Sequence, residues 1–277
     1  MGFKRVLVAL AKAACYAALF ILLQLFASFA VAFVLAIGAG VQAAQGGMPD
    51  ILALTQQVLD KLLENTMLIT FISNGATILI LYPIFALQKK RYSEEICLRP
   101  IKSKAVWPLA IGALSLAMVV GMLLAALPIP EEVLEGYAEA SENIGGMGLL
   151  EAISSVFMAP IAEEIIFRGL VYTRLRRAMP PWLACVLASA IFGLLHGQIV
   201  WIAYAFVVGM ALALVFERTG TLWASIILHV TFNLAGGYIL PYVTSGMVFI
   251  LAPIGLVISW LWLKGLYPRG GNTPEAQ

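Results

Sequence analysis

Charge is scarce in this sequence. Only 12% of its 277 residues are Asp, Glu, Lys or Arg, where an ordinary soluble domain carries about 25%. Hydrophobic residues make up 62% and the mean hydropathy is +0.95. A compact globule of this length cannot hide so much apolar surface, because its exterior still needs polar cover. A water-soluble enzyme and a disordered chain are therefore excluded. The formal net charge of +2 offers no surface for tracking phosphates, so nucleic acid is not expected as a partner.

Other residues are scarce as well. The three cysteines, Cys15, Cys97 and Cys185, fit no metal knuckle or disulfide framework and read as free thiols. The only aspartates are Asp50 and Asp60, and the only histidines are His196 and His229. No stretch alternates with period two, which excludes a β-barrel. No internal repeat of the kind many transporters carry is visible.

What is present is a series of long apolar runs. Crossing the hydrocarbon takes about 20 such residues in a helix. Eight runs qualify: roughly 13–39, 67–88, 105–127, 149–172, 181–197, 198–216, 221–240 and 247–263. The expected fold is all-α, a polytopic transmembrane bundle of about eight spans. Lys4, Arg5 and the apolar run after them mimic a signal peptide, but the run outlasts a plausible signal core and reads as an uncleaved span. The fifth and sixth spans are separated only by His196-Gly197-Gln198. Residues 1–148 hold spans one to three, 149–240 form a polar-marked core, and 241–277 hold the last span and a tail.

Orientation follows from the basic residues. With the N-terminus in the cytoplasm, 15 of the 17 Lys and Arg fall on the cytoplasmic side. Lys61 lies outside and Arg168 lies within the fourth span. The outer loop PIPEEVLEGYAEASENIGGMG holds five glutamates and no base. Both termini are expected inside, with the chain in a bacterial or archaeal cell membrane. The stretch ILALTQQVLDKLLEN reads as an amphipathic helix on the outer leaflet. Trp182, Trp201, Trp223, Trp260 and Trp262 read as interfacial belts.

Ionisable groups at mid-membrane cost about 2.5–3.5 kcal/mol each on insertion scales, so they face protein or a wet cavity and mark function. Here they are concentrated. The fourth span carries Glu163, Glu164 and Arg168, the fifth runs Phe192 to His196, and the seventh runs His229 to Asn233. Both histidines are thus expected inside spans. Glu164 and Arg168, four apart with the acid first, share a helix face and read as an ion pair that holds the helix. Glu163 points about 100° away and is left free for chemistry. His229 and Asn233 share a face. Pro160 frees a backbone carbonyl just before the acids. Gly193 and Gly197 bracket His196 in a small-xxx-small pattern that admits another backbone, and Ala205, Gly209 and Ala213 form a second such row.

The residue types narrow the chemistry. An aspartyl dyad lacks aspartates in spans, a zincin lacks H-E-x-x-H, and a serine protease lacks a Gly-x-Ser-Gly turn. Cys185 stands about 16 Å along the helix from His196, too far for a thiol–imidazole pair. What remains is glutamate and histidine acting on water. Glu163 serves as general base with His196 orienting the water, and His229 and Asn233 donate to the oxyanion. A metal version also fits the residue types, with Glu163, His196 and His229 holding a divalent metal such as zinc. Spacing does not separate the two.

Glu163-Glu164-x-x-x-Arg168, Phe192-x-x-x-His196 and His229-x-x-x-Asn233, in this order on three spans, resemble the CPBP intramembrane proteases (CAAX protease and bacteriocin-processing, or Abi, family). The run from Arg218 to Asn233 is similar to the family's approach to its last motif. The resemblance covers roughly 149–240. It implies endopeptidase activity, with Glu163 and His196 activating water and His229 and Asn233 forming the oxyanion hole. Glu164, Arg168 and Phe192 are left in supporting roles, Phe192 as core. The implied partner is a membrane-associated peptide or protein, prenylated or of the pheromone or bacteriocin type, met in the lipid bilayer. Two rival classes are a proton-coupled transporter and a non-cutting immunity or scaffold protein of the same fold.

Overall fold

The computed structural model describes residues 2–46, 50–142, 148–242 and 246–268. Among the described residues every regular element is helical. Helix α1 (Phe3–Gly46) starts ten residues before the span expected at 13–39. No proline interrupts it, and at about 66 Å it outruns the hydrocarbon. Lys4, Arg5 and Lys12 sit on its first turns, where long stems let the charges reach water. The amphipathic stretch forms α2 (Ile51–Glu64), capped by Asp50, whose carboxylate accepts the Leu52 N–H at 2.9 Å. It buries none of its own side chains.

Helices α3 (Thr66–Leu87), α4 (Tyr92–Glu95), α5 (Val106–Ala126) and α6 (Glu131–Glu142) follow. Next comes a continuous helical rod, α7, over 149–176. After it stand α8 (Pro181–Leu194), α9 (Ile199–Thr219), α10 (Leu222–Leu234, continued as a π-turn over Ala235–Ile239) and α11 (Gly246–Leu266). Five described helical stretches are long and apolar enough to cross a membrane: Phe3–Gln42, Thr66–Leu87, Ser103–Ala126, Ile199–Thr219 and Leu222–Ile239. Pro181–Leu194 and Ile250–Leu266 are apolar but shorter. The chain is an integral, multi-pass membrane protein.

α7 is the buried axis of the bundle. From Ile165 to Arg176 every residue is buried, charged ones included. One apolar cluster joins it to Phe20 of α1, Leu81 and Phe85 of α3, Phe192 of α8 and Phe216 of α9. A second cluster packs α5 and α11 against α9 and α10 through Leu109, Leu212, Leu228 and Leu263. Helices α9 and α10 therefore divide two cores.

The connections that carry the basic residues are knitted together at one end. Arg174 pairs with Glu95, and Thr221 Oγ1 donates to the Arg99 carbonyl at 2.5 Å. The Leu222 N–H donates to the Cys97 carbonyl at 2.9 Å, and Lys102 Nζ to the Leu266 carbonyl at 2.5 Å. Gly220, left-handed at φ +68, makes the turn that presents Thr221 and Leu222 there. At the opposite end, Gln198 Nε2 donates to the Val133 carbonyl of α6 at 3.4 Å, and Tyr137 meets Trp201 edge-on. The charge partition read from the sequence thus has a spatial counterpart: basic loops gather at one end, the glutamate-rich helix at the other.

Small residues set the closest approaches. A Cβ on Gly193 would stand 2.9 Å from the Ile202 carbonyl, and one on Gly209 3.1 Å from Phe192 and Ser189. Ala205 and Ala213, in the same row as Gly209, are buried. Gly197 corrects the expectation for its pair: a Cβ there meets nothing within 4 Å. Its φ of +74 shows that it is needed for a left-handed turn, not for close packing.

Candidate active site

The two histidines reach the site by different routes. His229 is on α10, buried at 4% exposure. His196 is not inside a helix, as its apolar surroundings suggested. α8 stops at Leu194, and His196 lies in the connection to α9. The physical cause is the turn itself: the His196 N–H bonds back to the Gly193 carbonyl at 3.0 Å, and left-handed Gly197 then reverses the chain. Gln198 caps α9, its Oε1 accepting the Val200 and Trp201 N–H groups at 2.6 and 3.1 Å.

Each imidazole has one nitrogen already committed. His196 Nδ1 lies 2.9 Å from the Phe192 carbonyl. A carbonyl only accepts, so Nδ1 carries the proton and the neutral ring presents the Nε2 lone pair. His229 Nδ1 lies 2.8 Å from Glu164 Oε1, and its Nε2 lies 3.7 Å from Glu163 Oε2. Two consecutive glutamates therefore address opposite nitrogens of one ring.

Glu164 is fully buried, and its Oε1 also accepts from Arg168 at 2.7 Å. The i,i+4 pair read from the sequence is present, and its reach is greater than that reading allowed. Arg168 continues to the Gly209 carbonyl at 3.1 Å and lies over the Phe192 ring, 4.5 Å from its centroid. Phe192 is buried, as its assignment to the core required. It is also where the site converges, because its ring stands edge-on to His196 at 4.8 Å and to His229 at 5.9 Å. Glu163 retains 18% side-chain exposure against none for Glu164. The two acids are thereby sorted into one that keeps accessible surface and one spent on a buried cation.

Asn233, one turn past His229, donates from Nδ2 to the Ser155 carbonyl at 2.9 Å. That places the α10 motif directly against α7. The backbone here is not regular α-helix: Ile153–Met158 and Ile165–Tyr172 are π-helical, flanking the α-helical turn Ala159–Glu164 that carries both acids. π-turns inside helices are frequent at functional sites.

Among the described residues, no three His, Cys, Asp or Glu side chains are grouped to hold a metal ion. Glu163, His196 and His229 do not fit a metal in this arrangement. Three further contacts escaped the sequence reading: the Glu164–His229 hydrogen bond, the Gly209 carbonyl on Arg168 and the Ser155 carbonyl on Asn233. Only the third had a local signal, the proline at 160.

Comparison with known proteins agrees with the motif resemblance. Residues 145–235 match the family model described as type II CAAX prenyl endopeptidase Rce1-like. Over 105 residues the chain is 30% identical to a curated protein of Bacillus subtilis (strain 168) named "Putative membrane peptidase YdiL". That match spans 35% of this chain and 43% of the relative, so less than half of the relative's length is covered. No solved structure matches the chain significantly.

Proposed function

We propose that the protein is an intramembrane endopeptidase in which Glu163 and His196 activate water and His229 and Asn233 receive the oxyanion. The observation that carries this reading is the line Arg168–Glu164–His229–Glu163. Arg168 and Glu164 neutralise each other, and Glu164 fixes His229 by its Nδ1–H. Glu163 is left as the partly accessible carboxylate, and in this reading it takes the proton from water.

The hydrogen bonds assign the roles of the two rings. His196, tied through Nδ1 to the Phe192 carbonyl, offers Nε2 as an acceptor for the water. His229, with Nδ1–H on Glu164, donates from Nε2 to a developing oxyanion only when doubly protonated. Asn233 adds its second N–H. A donor placed for the oxyanion contributes about 10²–10³ in rate. No step in this scheme passes through a metal. The proposed substrate is a membrane-associated peptide, and the family description makes a prenylated C-terminal cysteine peptide the first probe.

The test is cleavage of an internally quenched, farnesylated-cysteine peptide by the full chain in liposomes. The parent cleaves it and Glu163→Gln does not. Cleavage by Glu163→Gln at the parent rate overturns the reading.

A further inference from the structure

Asn233 on α10 donates to the Ser155 carbonyl of α7, three elements earlier, at a point where the hydrogen bonding of α7 is interrupted. In a regular α-helix, the Ser155 carbonyl would take the N–H of residue 159. Here the Ala159 N–H is on the Ser154 carbonyl, one register further back, as a π-turn requires. Continued in that register, the Ser155 carbonyl would take the N–H of residue 160. Residue 160 is proline and has none. Both of the helix's own donors are thus removed from Ser155, one by the π-turn and one by the pyrrolidine ring. Asn233 Nδ2 fills the vacancy from α10 at 2.9 Å.

We propose that Pro160 is a positioning residue for the reaction: by leaving the Ser155 carbonyl without an intrahelical donor, it anchors the Asn233 carboxamide and sets where its second N–H points. This rests on the peptidase reading, in which that N–H serves the oxyanion. A carboxamide has two N–H donors. With one held by a backbone carbonyl, the plane of the group is fixed and the other N–H is pre-aimed. Without that anchor the amide rotates about its terminal torsion, which has a broad profile. A donor that must be ordered during the reaction stabilises the oxyanion less than one fixed beforehand.

The location supports the assignment. Pro160 is buried, and Glu163 follows it by less than one turn. The same residue therefore ends the π-turn that opens the carbonyl and begins the α-helical turn that carries the acids. Pro160 touches neither reacting atoms nor water in this scheme; its effect passes entirely through Ser155 and Asn233.

The experiment compares three versions of residue 160 in the full chain: the parent, Pro160→Ala, and position 160 carrying lactic acid, the hydroxy-acid analogue of alanine. Alanine supplies an N–H, whereas lactic acid lacks both the N–H and the ring. The first readout is exchange protection of the Asn233 side-chain amide in [15N]Asn-labelled protein in micelles, with the resonance assigned by Asn233→Ala. The second is kcat and KM on the farnesylated-cysteine peptide. Pro160→Ala is expected to lose the amide protection and to lower kcat on the order of 10²-fold, with KM changed less than about 3-fold. The lactic-acid version should regain both. The double variant Pro160→Ala/Asn233→Ala should be no slower than Asn233→Ala, since both act through one bond. Full amide protection in Pro160→Ala, or no recovery with lactic acid, overturns the proposal. Failure of the peptidase reading is seen separately, as Glu163→Gln cleaving like the parent or the parent leaving the peptide uncleaved. The amide readout then still decides the role of Pro160.

Discussion

His229 is held through Nδ1 by Glu164, 2.8 Å away, while Glu163 stands 3.7 Å from its other nitrogen. Adjacent glutamates in one helix thus grip and face the same ring, with Arg168 cancelling the charge of the first. Glu164→Gln is expected to lose both stability and activity. Removing one member of a buried ion pair costs about 3–5 kcal/mol, which thermal unfolding in detergent reads as a lowered Tm. Glu163→Gln, at a partly exposed carboxylate, should abolish cleavage of the farnesylated peptide with little change in Tm. Equal Tm loss in the two variants would contradict the separation of roles.

At Gly193 the backbone of α9 lies close against α8. A methyl there would meet the Ile202 carbonyl at 2.9 Å and the Phe206 nitrogen at 3.2 Å. Both are backbone atoms inside a helix and cannot rotate away. Gly193→Ala should destabilise by about 1–3 kcal/mol, and should slow cleavage because His196 bonds back to the Gly193 carbonyl. Gly236→Ala, with nothing within 4 Å, serves as the control and should leave Tm unchanged or slightly raised.

Glu217 accepts from the Tyr172 hydroxyl at 2.7 Å and from Arg176 Nε at 3.1 Å. Glu217→Leu leaves the buried Tyr172 hydroxyl without that acceptor, and should cost about 1–3 kcal/mol. Urea or thermal unfolding of the purified protein checks it. The site lies elsewhere, so KM on the peptide probe should hold.

Burial pushes the Cys97 thiol above its ordinary pKa, and Arg99, Arg177 and Arg174 pull it partly back. A raised pKa means less thiolate at neutral pH, and only the thiolate reacts. Cys97 should therefore be alkylated by maleimide more slowly in native protein than in dodecyl sulfate. Reaction should quicken as pH rises, and mass spectrometry of the Cys97 peptide measures both.

The proposed mechanism uses two carboxylates, two imidazoles and an amide, and no metal. Prolonged chelation should leave peptide cleavage within about 2-fold of the untreated protein, an effect below 0.5 kcal/mol in the barrier. Stoichiometric zinc in purified protein, lost in His196→Ala/His229→Ala, would contradict it.

Much of this was legible in the chain itself. Scarcity of charge identified the membrane, the few ionisable groups left in apolar runs marked Glu163, Glu164, Arg168, His196 and His229, and helical spacing from His229 added Asn233. Helical periodicity was enough to pair Glu164 with Arg168, because i,i+4 contact is a local property. Hydropathy carries the fifth span to 197 because Leu194 and Leu195 continue an apolar run, and so puts His196 inside it, although His196-Gly197-Gln198 also reads as the turn between spans five and six. Only the backbone turn at Gly193–Gly197 breaks the helix there.

What the sequence determined by itself is the set of groups that cannot dissolve in lipid and the segments that carry them; hydropathy and spacing are additive along the chain. Which ring nitrogen is free and which glutamate grips His229 were decided by tertiary structure alone, whereas the Asn233 anchor had one local signal in Pro160. Those outcomes depend on contacts between α7, α8, α9 and α10, and on a π-turn whose register no local pattern specifies. A hydrogen bond is directional over a few tenths of an ångström, and the order of residues does not encode that distance until the helices have packed.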